Sequence, residues 1–329
     1  MRKKRLGRSG LRVSEIGLGV MNFGSQLTEK ESFAVGDAAL DLGITLFDTA
    51  EMYSSPPTPE SYGRSEEILG RWLKTKGRDQ VIVATKMIGP SDGMFKGGAY
   101  IRSGQSSLDA FHIGRAIDDS LKRLGTDHID LMQFHWPDRI VPWAEQLGAM
   151  TRAIAQGKIR YFGCSNETPW GLMRAVACSE RNDLTRPISV QNVLNFLQAD
   201  HYQALEECCL QEGIGYVAYS PLAMGLLTGK YRGHTLPEGT RFELFKRYRD
   251  MYLNDAKLAV VDHVAREAEK RNVSVGELSL WWCLTRPAVS TVLTTVSKVE
   301  QLSLAVRAVE LAEKDPDLQI DLAGLYSAA

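Results

Sequence analysis

Four side chains able to transfer protons or stabilise charge follow apolar runs in the first half of the chain. Asp48, Lys86 and His135 each end one of three consecutive apolar segments, and Tyr53 lies in the stretch that begins at Asp48. Segments of this kind are typical of buried strands of a parallel sheet. If the three strands end at the same edge of one sheet, the four side chains lie close together.

These residue types suit the reduction of a carbonyl group to an alcohol. Hydride addition builds negative charge on the carbonyl oxygen, so the site needs a proton donor and a charge stabiliser. A tyrosine such as Tyr53 is a weak acid, with a reference pKa of about 10, and we expect the Lys86 ammonium to lower that pKa. Asp48 would orient Lys86, and His135 would supply a directional hydrogen bond or a second proton route.

Each residue also has a structural explanation when it is considered alone. Asp48 could cap a turn, Lys86 could be solvated, Tyr53 could belong to the core, and His135 could be a buried, hydrogen-bonded histidine. The functional interpretation therefore depends on a fold that gathers the strand ends.

The chain alternates strand-like and helix-like segments eight times, which predicts a parallel sheet covered by helices. The predicted strands are Glu15–Leu18, Thr45–Thr49, Val81–Lys86, Ile129–His135, Tyr161–Ser165, Ile188–Asn192, Tyr216–Ser220 and Thr291–Thr295. The predicted helices are Lys30–Leu42, Arg64–Lys76, Ile113–Leu124, Val141–Gln156, Trp170–Cys178, Tyr202–Glu212, Asn254–Arg271, Val275–Thr285 and Val299–Ala312.

Eight such units favour an α/β fold with one domain over residues 1–329, a single (β/α)8 TIM barrel with long loops at its C-terminal face. No G-x-G-x-x-G motif follows the first strand, which argues against a dinucleotide-binding open sheet. Gly10 lies between the short segments Lys4–Leu6 and Leu11–Val13, which fits an N-terminal hairpin that could close the bottom of the barrel. In such barrels the chemistry lies at the carboxyl ends of the strands.

Composition and charge exclude several other classes of protein. The net charge of −1 and the pI near 6.6 give no electrostatic basis for binding nucleic acid or an anionic membrane. No apolar stretch approaches the roughly 20 residues of a membrane span, so we expect a cytoplasmic protein. The five cysteines show neither disulfide nor metal-ligand spacing, and no metal site is predicted.

Several motifs together resemble the aldo-keto reductase family, and within it the bacterial Tas-like branch. These are F-D-T-A-E-M-Y at 47–53, Y-G-R-S-E-E-I-L-G at 62–70, A-T-K at 84–86, R-L-G-T-D-H-I-D-L at 123–131 and H-W at 135–136. The resemblance covers nearly the whole chain. It implies an NADPH-dependent oxidoreductase that reduces an aldehyde or ketone, in which Tyr53 is the acid–base residue, assisted by Asp48, Lys86 and His135.

Residues 54–62 form an apparent insertion that brings a second tyrosine before the family's glycine. Tyr62 therefore competes with Tyr53 for the role of proton donor. The distance in sequence from Asp48 favours Tyr53, and Tyr62 is interpreted as a residue of the substrate loop.

The resemblance also implies a set of contacts to NADPH. The nicotinamide half would be held by Ser165, Asn166 and Gln191, would stack on Tyr219, and would adjoin Gly19, Met21 and Asp48. The remaining predicted cofactor contacts are Ser220, Leu222, Gly225, Lys230, Arg241, Ser297, Lys298 and Gln301. Lys230 and Arg241 lie on a polar loop and could instead be solvated. Leu304 and Ala305 replace a polar pair that the family uses at the adenine, whereas Lys298 retains a positive charge for the 2′-phosphate.

The substrate itself is not specified by these motifs. We expect Tyr53, His135 and Trp136 to contact it, although Trp136 could serve packing alone, and the segments 88–111 and 222–250 to supply loops around it. A second hypothesis is a nicotinamide-sensing or partner-binding protein on the same fold, as in potassium-channel β subunits, and a third is a barrel that binds another ligand. No oligomeric state is predicted.

Overall fold

The protein is described here from a computed structural model, which covers residues 1–90, 100–104, 106–244 and 246–320. A two-stranded antiparallel hairpin, β1 (Lys3–Arg5) and β2 (Arg12–Ser14), precedes a closed parallel barrel of eight strands. The barrel strands are β3 (Ile16–Gly19), β4 (Leu46–Asp48), β5 (Ile82–Met87), β6 (Ile129–Phe134), β7 (Ile159–Ser165), β8 (Ser189–Val193), β9 (Gly215–Tyr219) and β10 (Val289–Thr294). Each strand pairs with the next, and β10 pairs with β3. The predicted (β/α)8 barrel and its N-terminal hairpin are confirmed.

Helices surround the barrel and connect its strands. They are α1 (Glu29–Asp41), α2 (Arg64–Lys76), α3 (Ala110–Leu124), α4 (Trp143–Ala155), α5 (Pro169–Asn182), α6 (Asp200–Glu212), α7 (Arg241–Leu244), α8 (Lys246–Tyr252), α9 (Asp255–Lys270), α10 (Val275–Leu284) and α11 (Leu302–Lys314). None of the helices in the described ranges is long and apolar enough to cross a lipid bilayer.

Local sequence signals account for where several of these helices begin and end. Thr28 before α1 and Ser274 before α10 each form a capping box with the glutamate three residues later, which satisfies free backbone N–H groups. At the other end of α3, Gly125 takes the left-handed conformation that commonly terminates a helix.

The hairpin closes the amino-terminal end of the barrel. Leu6, Leu11 and Val13 are buried and belong to one apolar cluster with inward-facing strand residues such as Leu131 and Val217. This plug removes the lower opening from solvent, so the open end of the barrel is the end where the strands finish.

The two long segments at the carboxyl ends of the strands, 88–111 and 222–250, contain short helical turns. The region 222–250 contains short helical turns at Ala223–Thr228 and Arg232–His234, followed by α7 and α8. The sequence does not predict them, because short turns lack the periodicity of a long amphipathic helix. Of the region 88–111, residues 91–99 and 105 lie outside the described residues, and a short helical turn occupies Ile101–Gly104.

Candidate active site

The adjacent strands β4 and β5 bring Asp48 and Lys86 into a buried ion pair. The Lys86 ammonium Nζ lies 2.5 Å from Asp48 Oδ1 and also donates to the Thr49 carbonyl at 2.7 Å. Both charged side chains are nearly inaccessible, at 1% and 5%. Desolvation lowers the pKa of Lys86, and the attraction of Asp48 opposes that shift. The lysine is therefore fixed in place by an anion and a carbonyl.

Two glutamine side chains bind the other oxygen of Asp48. Gln191 Nε2, on β8, donates to Asp48 Oδ2 at 2.9 Å, and Gln133 Nε2, on β6, donates to the same oxygen at 3.2 Å. Gln133 is fully buried and was not among the predicted site residues. A signal was present in the sequence, because Gln133 is polar within an apolar strand and lies two residues before His135, on the same face.

Tyr53 faces the cavity above this pair. The Lys86 ammonium lies 5.1 Å from the centroid of the Tyr53 ring. Within the described residues, the Tyr53 hydroxyl has no hydrogen-bond partner. Desolvation by the surrounding protein, followed by the negative charge of Asp48, raises the pKa of Tyr53. The predicted net lowering of this pKa is therefore wrong, because burial and the charge of Asp48 raise it, while Asp48 and Thr49 bind the Lys86 ammonium.

His135 lies on the other side of the tyrosine. The two rings meet edge to face with centroids 5.7 Å apart, and the imidazole stacks on Trp136 at 3.9 Å. Asn166 Nδ2 donates to the His135 carbonyl at 2.9 Å, which ties β7 to this position. Burial, reinforced by the positive charge of Lys86, lowers the pKa of His135 well below its usual 6.5. The imidazole is therefore neutral at neutral pH.

A large cavity of about 1180 Å³ opens over these residues. Trp136 and three of the four predicted catalytic residues line it, and Lys86 lies behind Asp48. The predicted cofactor contacts that line the cavity are Gly19, Met21, Asp48, Ser165, Asn166, Gln191, Tyr219, Ser220, Leu222, Gly225, Lys230, Ser297, Lys298 and Gln301. The side chain of Arg241 lies outside the described residues, so its predicted contact is not located.

At the deep end of the cavity, polar groups of β7, β8 and β9 are linked to one another. Ser165 Oγ donates to the backbone carbonyl of Gln191 at 2.8 Å. The Tyr219 hydroxyl donates to Asn166 Oδ1 at 2.7 Å. Asn166 itself has a φ of +54°, a left-handed conformation that asparagine tolerates better than most residues. These contacts hold an aromatic ring and several amide groups at fixed positions on one wall.

The far end of the cavity carries positive charge. Gln301 Oε1 accepts from the Ser297 backbone N–H at 2.8 Å, which orders the turn that bears Lys298. Leu304 lines the cavity beside them, whereas Ala305 is buried in the core. The apolar side chain of Leu304 therefore occupies a position where the family resemblance implies a polar contact to the adenine.

Tyr62 has different surroundings from Tyr53. Its hydroxyl donates to Glu51 Oε2 at 3.3 Å and accepts from Arg123 at 3.4 Å, and the Arg123 guanidinium lies 5.0 Å from its ring. Burial and the charge of Glu51 raise the pKa of Tyr62 to about 12. This tyrosine packs beside Tyr100 in a cluster next to the cavity.

A second buried ion pair anchors the segment that follows β5. Glu51 accepts two hydrogen bonds from the Arg102 guanidinium, at 2.7 and 2.9 Å, and one from the Ile88 backbone N–H at 2.6 Å. The carboxylate is fully buried and Arg102 has a φ of +49°. Sequence reasoning missed this pair, because the two residues are far apart in the chain and Arg102 lies outside the recognised motifs.

The chain matches the model of the aldo/keto reductase family over residues 15–320. It is 36% identical to the protein tas of Escherichia coli strain K12, over 94% of each chain. It is 34% identical to the uncharacterized oxidoreductase YrpG of Bacillus subtilis strain 168, over 93% of this chain and 90% of the relative. It is also 35% identical to a probable voltage-gated potassium channel subunit beta of Oryza sativa subsp. japonica, over 94% and 92%. This chain therefore belongs to the aldo/keto reductase family.

Proposed function

We propose that this member of the aldo/keto reductase family is an NADPH-dependent enzyme that reduces an aldehyde or ketone to the alcohol. The observation that carries the proposal is the environment of Tyr53, which lines the cavity beside Lys86 and His135 and whose hydroxyl has no hydrogen-bond partner among the described residues. The name of the Bacillus relative, an oxidoreductase, supports the same class of reaction.

Tyr53 is the proposed proton donor. NADPH, when bound, would supply the hydride for the carbonyl carbon. Tyr53 would give its hydroxyl proton to the carbonyl oxygen, which would leave the alcohol and a tyrosinate. The raised pKa keeps Tyr53 protonated before the reaction, which favours reduction. The Lys86 ammonium then stabilises the tyrosinate until solvent returns a proton.

His135 is the proposed second contact to the substrate oxygen. Because its imidazole is neutral, it can donate one hydrogen bond without adding a second positive charge near Lys86. Its stacking on Trp136 fixes the plane of the ring and therefore the direction of that hydrogen bond. Trp136 and Tyr53 also pack on the apolar cluster around Ile88 and Ile101, which would form the wall beside the substrate.

Groups at both ends of the cavity wall support the proposed cofactor. Gln191, Ser165 and Asn166 offer amide and hydroxyl groups for a carboxamide, and Tyr219 offers a ring for stacking. At the other end Lys298 and Ser297 would hold the 2′-phosphate, which only NADPH carries. These two ends support NADPH rather than NADH as the preferred nucleotide.

The second candidate function is nicotinamide sensing with a regulatory role. The observation that favours it is the similarity to a potassium channel subunit beta, at nearly the same identity as the similarity to the oxidoreductase. Both functions need the same nucleotide site, so nucleotide binding alone does not separate them.

The test is a titration of the purified protein with NADPH and NADH, followed by consumption of NADPH with a panel of aldehydes and ketones. Tyr53→Phe should lower turnover by about 10²- to 10⁴-fold, the usual contribution of a general acid, with little change in nucleotide affinity. Tyr62→Phe is the matched control and should retain turnover. Binding without turnover on any carbonyl would favour the sensing role. Normal turnover by Tyr53→Phe would overturn the assignment of the proton donor.

A further inference from the structure

We propose that Gln133 is a positioning residue that fixes the amide of Gln191, so that the Gln191 side-chain oxygen accepts a hydrogen bond from the carboxamide of bound nicotinamide. The inference rests on the proposed function and deepens it, since it concerns how this chain orients its cofactor. Gln133 would not touch the cofactor itself.

The first step of the argument is the use of both hydrogens on Gln191 Nε2. One points to Asp48 Oδ2 at 2.9 Å and the other to Gln133 Oε1 at 3.2 Å. A single hydrogen bond would leave the amide free to rotate about that bond, whereas two acceptors define its plane. The reversed orientation would place the Gln191 oxygen against a carboxylate and a carbonyl oxygen, which repel it.

The orientation of Gln133 is fixed in turn by the charge on Asp48. Gln133 Nε2 donates to Asp48 Oδ2 at 3.2 Å, so its oxygen is the atom that remains for Gln191. The Lys86 ammonium balances the same carboxylate from the other side. All of these side chains are buried, and a buried hydrogen-bonded network of this kind favours one arrangement because the alternative orientation would lose these bonds.

The second step is that the Gln191 side-chain oxygen remains available. Among the described residues it has no hydrogen-bond partner, and Gln191 lines the cavity. The neighbouring acceptor Asn166 Oδ1 is already engaged by the Tyr219 hydroxyl at 2.7 Å, and Ser165 Oγ interacts with Asn166 Nδ2 at 3.3 Å. The Gln191 oxygen is therefore the acceptor best placed for the NH₂ of a carboxamide.

The experiment compares the binding of NADP⁺ with that of its 3-acetylpyridine analogue, in which a methyl group replaces the carboxamide NH₂. Quenching of tryptophan fluorescence reports affinity without turnover. The wild-type protein should bind NADP⁺ more tightly than the analogue, which cannot donate to Gln191. Gln133→Met keeps the volume but removes the acceptor for Gln191, so it should weaken NADP⁺ binding by about two- to tenfold and leave analogue binding nearly unchanged.

Two further variants separate positioning from general damage. Gln133→Glu, held protonated by the adjacent Asp48 carboxylate, keeps a donor for Asp48 and an oxygen for Gln191, so it should restore the preference for NADP⁺ over the analogue even if absolute affinities change. Gln146→Met removes another fully buried glutamine, whose Nε2 donates to backbone carbonyls in a region away from Asp48, and should leave the preference unchanged. Thermal unfolding of each variant confirms that it is folded, and Gln133→Asn, whose oxygen falls short of Gln191, replaces Gln133→Met if that protein does not fold.

The possible results distinguish failure of this inference from failure of the proposed function on which it rests. Failure of the wild-type protein to bind NADP⁺ overturns both. Wild-type binding with equal affinity for the analogue, or a preference that survives in both Gln133→Met and Gln133→Asn, overturns the role of Gln133 alone. A preference that is lost in Gln133→Met and regained in Gln133→Glu supports it.

Discussion

Replacement of Lys86 by methionine tests the electrostatic part of the proposed chemistry. The substitution keeps most of the volume of the side chain but removes the ammonium that lies 2.5 Å from Asp48 and 5.1 Å from the Tyr53 ring centroid. Two separate effects are expected, one on the rate of carbonyl reduction and one on the free energy of unfolding.

The effect on rate follows from Coulomb's law. With the 5.1 Å distance taken as the separation between ammonium and tyrosinate, an effective dielectric constant of about 20 gives roughly 3 kcal/mol of stabilisation. That energy corresponds to a loss of about 200-fold in turnover if the tyrosinate charge is fully developed in the transition state. The measurement is single-turnover reduction at saturating NADPH, so that nucleotide binding does not enter the rate.

The effect on stability arises from Asp48, which would remain buried without its cation. Removal of one partner of a buried ion pair costs about 3–5 kcal/mol, and the amides of Gln133 and Gln191 should reduce that cost here. Urea unfolding measures it. The double variant Lys86→Met with Asp48→Asn removes the unpaired charge and should regain stability but not turnover. A folded Lys86→Met protein that reduces its substrate at the wild-type rate would refute the role assigned to the ammonium.

Three further predictions concern pH and the neighbouring ion pair. Because desolvation raises the pKa of Tyr53, ionisation of this residue should cause no decline in kcat/KM for reduction between about pH 7 and about pH 9. A decline in that range that Tyr53→Phe abolishes would contradict the prediction. The pKa of His135 is lower in the folded protein than in the unfolded chain, where it is about 6.5. The stability that the neutral imidazole contributes is therefore present above about pH 6.5. Below that pH the free energy of unfolding falls by up to about 1.4 kcal/mol per pH unit. Urea unfolding at mildly acidic pH should show this loss, and His135→Asn should reduce it. Arg102→Met should lower the free energy of unfolding by about 3–5 kcal/mol, because Glu51 stays buried without its cation. The double variant with Glu51→Gln should recover most of that loss. Equal losses in both variants would argue against the ion pair as the cause.

The order of the elements and the identity of the barrel were accessible from the sequence. Strand and helix segments can be told apart in the sequence because the barrel strands are buried on both faces, whereas a helix such as α3 has one buried face. The strand β5, predicted as Val81–Lys86, occupies Ile82–Met87, and α2 has the predicted bounds. The observed ends of helices differ from the predicted ones where a capping residue outside the apolar pattern determines the end. Helix α3, for example, begins three residues before its predicted start because Asp109 caps it.

The candidate site was accessible in part. Asp48, Lys86 and His135 could be grouped from sequence because parallel strands end at one face of a barrel, and Tyr53 followed from its closeness to Asp48 in the chain. Gln133 was overlooked although it is polar within an apolar strand, because its partners Asp48 and Gln191 lie on other strands and are remote in the chain.

The sequence by itself determined which side chains reach the open end of the barrel, because strand direction and alternation are local properties. Only the tertiary structure decided how those side chains are charged and oriented. The pKa of Tyr53 is raised by desolvation and by the charge of Asp48, and both effects depend on burial and distances that the folded barrel sets. The pairing of Glu51 with Arg102 likewise depends on a contact between residues remote in the chain. Such contacts have no local signature, because they exist only once the barrel has closed.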